Sequence, residues 1–352
     1  QNEATQSWKP KTHYPIGDLK PERTDSWEVG LDMKLFKDFN LGLSWYLANT
    51  FNQTFDPQIS VSSGYTTIYL QTGYVRNTGL ELSLGYGHTW NNNFRWDSNF
   101  TLSHNKNKIK ELVRDYVHPE TGELINKDRL DVGGLGKARF ILKEGGTLGD
   151  LYTQSDLKRD DNGMVDIDPT GIVAIENNLP DIKLGSVFPK ANLAWSNHFS
   201  WKGISLSALF TARIGGIVYS ATEAAMDQYG VSERSALARD NGGVLVNNRT
   251  LVDAQNYYTT IGSESGLPQY YTYNATNVRL QEASIGYLIP RKWLGNVCDI
   301  QVSVIGRNLW MIYNKAPFDP ESVATTDNYY QGIDYFMLPS TRNIGFNVKI
   351  NF

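Results

Sequence analysis

Residues 342–352 (RNIGFNVKINF) alternate without a break. Ile344, Phe346, Val348, Ile350 and Phe352 fall on one side; Asn343, Gly345, Asn347, Lys349 and Asn351 fall on the other. A period of two predicts a β-strand whose faces meet different environments. Eight segments upstream repeat the pattern, at about residues 26–37, 40–51, 78–90, 94–106, 188–200, 204–212, 277–289 and 298–309. Their apolar sides read, for example, Trp27, Val29, Leu31, Met33 and Leu35, or Leu80, Leu82, Leu84 and Tyr86. In residues 277–289 the phase shifts between Leu280 and Ala283, which predicts a β-bulge near Gln281 and Glu282.

The connections alternate in length. Short ones lie near residues 38, 92, 202 and 293; long ones span about 52–77, 107–187, 214–277 and 310–341. Short turns on one side and long loops on the other are the habit of outer-membrane barrels. Long loops are unusual inside a compact soluble domain. Charge follows the same division. The apolar faces carry only Lys37, whereas the opposite faces carry Glu28, Asp32, Lys34, Glu81, Arg95, Asp97, Arg279, Asp299, Arg307 and Lys349. A lipid-facing Lys or Arg at the bilayer midplane costs about 2–4 kcal/mol, which explains the exclusion. The segments are about ten to thirteen residues long, enough for a tilted membrane crossing. Trp27, Trp90, Trp96, Trp201 and Tyr287 stand near their ends, where an aromatic girdle belongs.

The expected fold is therefore all-β, a transmembrane antiparallel β-barrel wall of about nine strands with long extracellular loops. A soluble β-sandwich burying the same face is the alternative, because alternation alone does not separate the two. No apolar run reaches the roughly 18 residues of a membrane helix. The net charge of −4 gives no electrostatic reason to expect nucleic acid. The single cysteine, Cys298, excludes a disulfide framework and a cysteine metal cage. With the final residue on the periplasmic side, counting back nine strands puts residues 1–25 outside the cell, as an extracellular loop leading into the barrel. A whole barrel of this class has an even strand count and both termini in the periplasm. Residues 26–352 are thus expected to be the carboxyl-terminal part of a larger barrel, whose first strand closes against residues 342–352.

Several motifs resemble one family. Leu19-Lys20-Pro21-Glu22-Arg23-Thr24 followed by Trp27-Glu28-Val29-Gly30-Leu31-Asp32 is similar to a segment of TonB-dependent receptors. Arg76-Asn77-Thr78-Gly79-Leu80-Glu81-Leu82 resembles a strand of their SusC-like branch, as do Ser103-His104-Asn105-Lys106-Asn107-Lys108-Ile109, Gly149-Asp150-Leu151-Tyr152, residues 278–287 and Gly306-Arg307-Asn308-Leu309-Trp310. The matches keep the family's order through nearly the whole chain. The resemblance implies a 22-stranded barrel with an amino-terminal plug, of which these would be strands 14–22. It also implies energy from TonB acting through that amino-terminal part, a SusD-like surface lipoprotein as lid, and an oligosaccharide or peptide as the imported nutrient.

Tyr257, Tyr258, Tyr270, Tyr271 and Tyr273, and then Tyr329, Tyr330, Tyr335 and Phe336, crowd the long loops. Aromatic faces beside polar groups suit sugar stacking or a protein lid, and equally suit packing within the loops. They are the candidate substrate or lid contacts. Asp160-Asp161-Asn162-Gly163 has the look of a calcium loop. Aligned with Gly163 at the sixth position, however, it puts Lys158 and Pro169 where ligands belong, so a polar turn is expected and no metal. No cofactor motif, nucleophile elbow or paired-histidine helix occurs, so no catalytic residue is assigned. A membrane-embedded enzyme barrel is the remaining alternative, and it would need a Ser/His/carboxylate set at one interface.

Overall fold

The computed structural model describes residues 11–13, 20–57, 62, 64–117, 122, 124–263, 266–325 and 330–352. Long strands form one sheet: β1 (Arg23–Leu35), β2 (Phe39–Phe55), β3 (Leu70–Thr89), β4 (Arg95–Glu111), β5 (Ala191–Trp201), β6 (Ile204–Ile214), β7 (Asn277–Ile289), β8 (Asp299–Asn314) and β9 (Asn343–Asn351). The nine lie side by side in chain order. Every neighbouring pair is antiparallel. Each alternating segment of the sequence thus becomes a wall strand.

Register keeps the apolar side continuous across the wall. Leu31, Leu43, Leu82, Leu102 and Leu193 form one row over five strands. Between β6 and β7 the pairing steps from Leu209–Glu282 to Phe210–Leu280, leaving Gln281 unpaired. This is the expected bulge, and it restores the phase of Ala283, Ile285 and Tyr287.

The apolar side has no protein over it. Even on interior strands, Trp195 is 46% exposed and Ile285 is 56% exposed. Among the described residues no second sheet lies on this face, which removes the sandwich alternative. Soluble monomers rarely show contiguous apolar patches beyond a few hundred Å². Two polar residues on this face are capped by tryptophans. The Trp96 indole donates to Asn197 Oδ1 at 3.1 Å, and the Trp195 indole donates to Ser98 Oγ at 2.9 Å. Each acceptor oxygen is thereby satisfied within the wall. At the short-turn end, aromatic rings meet in sequence, with Phe39 on Tyr86, Tyr86 on Trp96 and Trp96 on Phe199 at 4.7–5.9 Å between centroids.

The polar face is close-fitted where strands carry glycine. A side chain at Gly79 would stand 2.2 Å from the Tyr46 ring, which lies flat across the neighbouring strand. Charged groups on this face pair across strands, as Arg307 does with Glu282 at 2.8 Å.

Strand bounds differ from the expected ones at the long-loop end. β2 reaches Phe55 and β3 starts at Leu70, so much of the expected loop at 52–77 is ladder. Likewise β4 runs to Glu111 and β8 to Asn314. On β2, β3 and β4 the outward residues become polar beyond the apolar band, so hydropathy falls silent while the backbone pairing continues; on β8 the ladder continues through Trp310 and Ile312. At the other end Leu35 pairs with Phe39, and Phe36 and Lys37 take φ of 50° and 67°. Lys37 belongs to that turn, not to the apolar face, whereas Lys106 continues that face at the long-loop end of β4.

No described helix is long and apolar enough to cross a membrane. A lipid-facing wall makes a sharp prediction. Leu82→Arg, in the middle of the leucine row, destabilises the full-length receptor by about 2–4 kcal/mol. The polar-face substitution Ser83→Asn costs less than about 1 kcal/mol, as near-neutral surface changes do. Urea titration of protein folded into lipid vesicles measures both.

Candidate functional site

The buried apolar core of this chain lies beyond the wall, in the long loops. Phe55, Val75, Ile109, Leu112, Phe140, Leu142, Leu151, Leu267 and Tyr271 belong to one cluster at the long-loop end. The 107–187 excursion is no open loop. It builds a four-stranded sheet from Arg129–Leu135, Ala138–Lys143, Asp150–Thr153 and Ile182–Ser186. The 214–277 excursion builds α1 (Ala221–Gln228), α2 (Glu233–Asp240) and α3 (Ala254–Gly262). Ser220, Ser232 and Asp253 cap them, each accepting a backbone N–H from the first turn. Close approach of α1 and α3 requires Gly262, where a Cβ would stand 2.5 Å from the Ala224 carbonyl oxygen.

Backbone pairing locks the excursions together. Ile217–Ser220 pairs with Thr272–Asn274 and, in parallel, with Ile333–Asp334 of the last loop. Asn247 exchanges two hydrogen bonds of 2.9 Å with the backbone of Val165. Gln269 donates to the Ser155 carbonyl and to Asp156. Arg279, 4% exposed on β7, reaches Asp319 at 2.9 Å and Glu321 at 3.0 Å, pinning the last loop to the wall. The loops form a folded crown.

Its polar centre is Asp227, 1% exposed. Ser232 donates to it at 2.5 Å, Tyr271 at 2.9 Å and the Arg234 Nε at 2.9 Å. The Arg234 guanidinium also lies 4.8 Å above the Tyr271 ring. Burial, and next the Asp227 charge, push the Tyr271 phenol far above its ordinary value. Tyr271 therefore stays a proton donor to Asp227. Within the four-stranded sheet of the crown, Arg129 and Lys143 hold Asp181 at 2.7 Å and 2.9 Å. The Arg129 hydrogen bond, helped by Lys143, holds the Asp181 carboxyl well below the usual carboxylate range.

These contacts sort the expected aromatic residues. Tyr271 is fully buried and Tyr258 is 8% exposed; both belong to the core of the crown. Tyr257 and Tyr270 lean half-buried on the same core. Burial pushes the Tyr257 phenol up to about 12. Tyr273 packs edge-on against Phe318 and lines a cleft of about 520 Å³ with Glu223, Arg234 and Lys315. Tyr330 meets Phe140 edge-on and is partly exposed. Tyr335 and Phe336 are 54% and 59% exposed, and stack edge to face at 5.1 Å. Tyr329 lies outside the described residues. Met337 and Leu338 are exposed as well, Leu338 at 86%. Sequence reasoning missed both, although the unbroken apolar run Tyr335-Phe336-Met337-Leu338 inside a loop was the available signal.

The Asp160 turn is satisfied by its own backbone, with Oδ1 accepting from the N–H groups of Asn162 and Met164 at 2.9 Å each. Among the described residues no cluster of His, Cys, Asp and Glu is arranged to hold a metal ion.

The wall and crown can be compared with known proteins. A family model described as the β-barrel of TonB-dependent receptors matches residues 10–309. The chain belongs to that family. TonB-dependent receptor P3 of Formosa agariphila is 25% identical over 96% of this chain and 35% of its own length. TonB-dependent receptor P26 of the same organism is 24% identical over 94% of this chain and 34% of its own length. The chain thus spans about a third of the relatives it matches. Among solved structures, the RagAB peptide importer in its closed-closed state superposes with a TM-score of 0.68 at 18% identity, covering 94% of this chain and 35% of that one. The open-open state gives the same TM-score over 97% of this chain. These are outer-membrane β-barrel receptors, and this TonB-dependent receptor wall is an outer-membrane structure.

Two predictions follow from the crown's polar ties. Asp227→Asn leaves Arg234 without its counter-charge at a buried site. It costs the crown about 3 kcal/mol, near the low end for breaking a buried pair because Arg234 is partly exposed. Limited proteolysis of the intact receptor then cuts the loops faster while the barrel keeps its resistance to unfolding in SDS. Because the folded Asp181 carboxyl is depressed, its contribution is complete above the ordinary aspartate value of about 3.9 and is lost as pH falls below it. Proteolysis with an acid-active protease from pH 6 to pH 2 shows wild-type loops loosening only below about pH 4. Asp181→Asn loops are already loose at pH 6.

Proposed function

We propose that this chain is the carboxyl-terminal wall and outer crown of a receptor that imports a nutrient across the outer membrane with energy from TonB. The observation that carries the proposal is a folded crown at one end of a lipid-facing wall whose other face is polar. In this reading the long loops face outside and the short turns face the periplasm. Most of the expected outer segment 1–25 lies outside the described residues; its described residues 20–22 lead into β1 at the outer side. β1 and β9 are the edges of the described sheet. An edge in lipid needs a partner for its backbone groups. An amino-terminal part of the same receptor supplies those partners and completes a barrel of 22 strands. A plug from that part sits against the polar face, and TonB acts through it. A SusD-like lipoprotein is the lid over the crown.

The exposed aromatic groups support a reading of the cargo class. Tyr335 and Phe336 offer ring faces, and Tyr273 borders a polar cleft with Glu223, Arg234 and Lys315. Rings beside charged and amide groups suit an oligosaccharide, which stacks its apolar face and hydrogen-bonds its hydroxyls. A peptide is the second reading, favoured by the apolar strip Tyr335-Phe336-Met337-Leu338, which suits peptide side chains. Tyr257, Tyr270 and Tyr330 contribute through the edges that they leave uncovered.

Uptake of labelled nutrient by cells carrying the full-length receptor tests the proposal. Deleting TonB abolishes uptake, whereas uptake that survives contradicts the mechanism. The double substitution Tyr335→Ala/Phe336→Ala weakens capture of nutrient or lid about tenfold, equivalent to roughly 1.4 kcal/mol. Titration of the purified receptor against each measures this, and barrel assembly stays unchanged.

A further inference from the structure

The outward face of β1–β4 changes character in steps set by register. Val29, Trp45, Leu80 and His104 stand in one row. The next row toward the crown is Trp27, Leu47, Thr78 and Lys106. Above it stand Asp25, Asn49, Arg76 and Lys108, and then Arg23, Phe51, Tyr74 and Glu111. Lys110 is the bulged residue between the last two rows on β4. The direction of these side chains is fixed by their neighbours, because Val75, Asn107 and Ile109 point inward and are buried. Arg76, Lys106, Lys108 and Lys110 therefore continue the lipid side of the wall.

Their height follows from strand geometry. A tilted strand crosses the hydrocarbon in about nine to eleven residues. Counted from Phe94 at the short-turn girdle, the crossing on β4 ends near His104. Lys106 stands at the start of the headgroup layer, and Lys108 and Lys110 stand within or just above it.

This arrangement works against folding unless an anion is present. Arg76 is directly opposite Lys108, and like charges directly opposed across a ladder are destabilising. The charges of Arg76, Lys108 and Lys106 all act on the Lys110 ammonium. None of the four makes an ion pair with a described carboxylate. Of the acids in these rows, Asp25 is held by Arg23 at 3.0 Å, and Glu111 shares the top row with Arg23. Arg76 is held in place without being neutralised. Its Nε donates to Asn49 at 2.8 Å and its Nη2 to the Tyr74 hydroxyl at 2.6 Å. A guanidinium fixed in this way, beside three ammonium groups, is suited to phosphate oxygens.

We propose that Arg76, Lys106, Lys108 and Lys110 form a binding site on the outer wall for the phosphorylated headgroup of an outer-leaflet glycolipid. The assignment of leaflet rests on the topology proposed above, with the long loops outside. Bound phosphate relieves the repulsion between Arg76 and Lys108. It also anchors β3 and β4 beneath the crown at a fixed depth.

The test uses the full-length receptor in nanodiscs, purified as wild type and as Arg76→Gln/Lys106→Gln/Lys108→Gln/Lys110→Gln. A second variant, Lys202→Gln/Lys292→Gln, removes cations at the short-turn end. The readout is retention of bisphosphorylated lipid A against phosphatidylglycerol and inorganic phosphate. Each cation near an anionic surface contributes roughly fivefold to affinity, so the quadruple variant loses at least tenfold. The expected result is that loss, with retention by the short-turn variant and no competition from millimolar inorganic phosphate. Equal retention by wild type and quadruple variant overturns the proposal. So does displacement by inorganic phosphate, which would make the row a site for the free ion, and so does a preference for phosphatidylglycerol, which would put the row in the other leaflet. Thermal unfolding in SDS confirms that the variants are folded. Failure of the import reading appears separately, as uptake without TonB, and leaves this measurement unchanged.

Discussion

A strand inside hydrocarbon has no water to bond, so its backbone must be satisfied by its neighbours. Much of this structure follows from that requirement. It forces the nine strands into one antiparallel sheet in chain order, since adjacent segments joined by short turns pair at the least loss of chain entropy. It fixes register, because a slip of one residue would turn every charged group toward lipid. It also explains the two tryptophan caps. Asn197 and Ser98 stand on the lipid side, and each takes an indole N–H that would otherwise need a partner of its own.

The same requirement divides the molecule energetically. Within the apolar band the side chains facing outward are solvated by lipid, so they need no protein cover. Beyond the band, water returns and the hydrophobic effect with it. The buried core accordingly begins where the strands leave the membrane, at Phe55, Leu70, Val75 and Ile109. From there it continues through the four-stranded sheet, α1 and α3. The crown is stabilised as a small soluble domain would be, with capped helices, a glycine at the tightest helix contact and buried ion pairs at Asp227 and Arg279. It is anchored to the wall at several strand ends, so motion of the wall and motion of the crown are mechanically linked.

How much of this was legible in the sequence depended on which solvent each residue meets. The nine strands and the bulge at Gln281 were readable because lipid on one side and polar surroundings on the other impose a strict period of two. The ends of β2, β3 and β4 were not, because past Phe51 or His104 the outward row turns polar while the ladder goes on. The crown was misread as open loop because its short strands, such as Arg129–Leu135 and Ala138–Lys143, lack an alternating outer face. Aromatic content alone did not separate Tyr271, sealed against Asp227, from Tyr335, open to solvent. That difference arises from tertiary contacts between residues far apart in the chain.

The central claim is that the even-numbered side of β3 meets lipid and the odd-numbered side does not. Single cysteines placed in turn at residues 80–85 of the full-length receptor in native membranes test it directly. Each is read by reaction with a charged aqueous thiol reagent and by quenching of an attached fluorophore with nitroxide lipid. Strict alternation is expected. Positions 80, 82 and 84 should be strongly quenched and unreactive; positions 81, 83 and 85 should show little quenching. Quenching without alternation, or quenching of the odd positions, would contradict it.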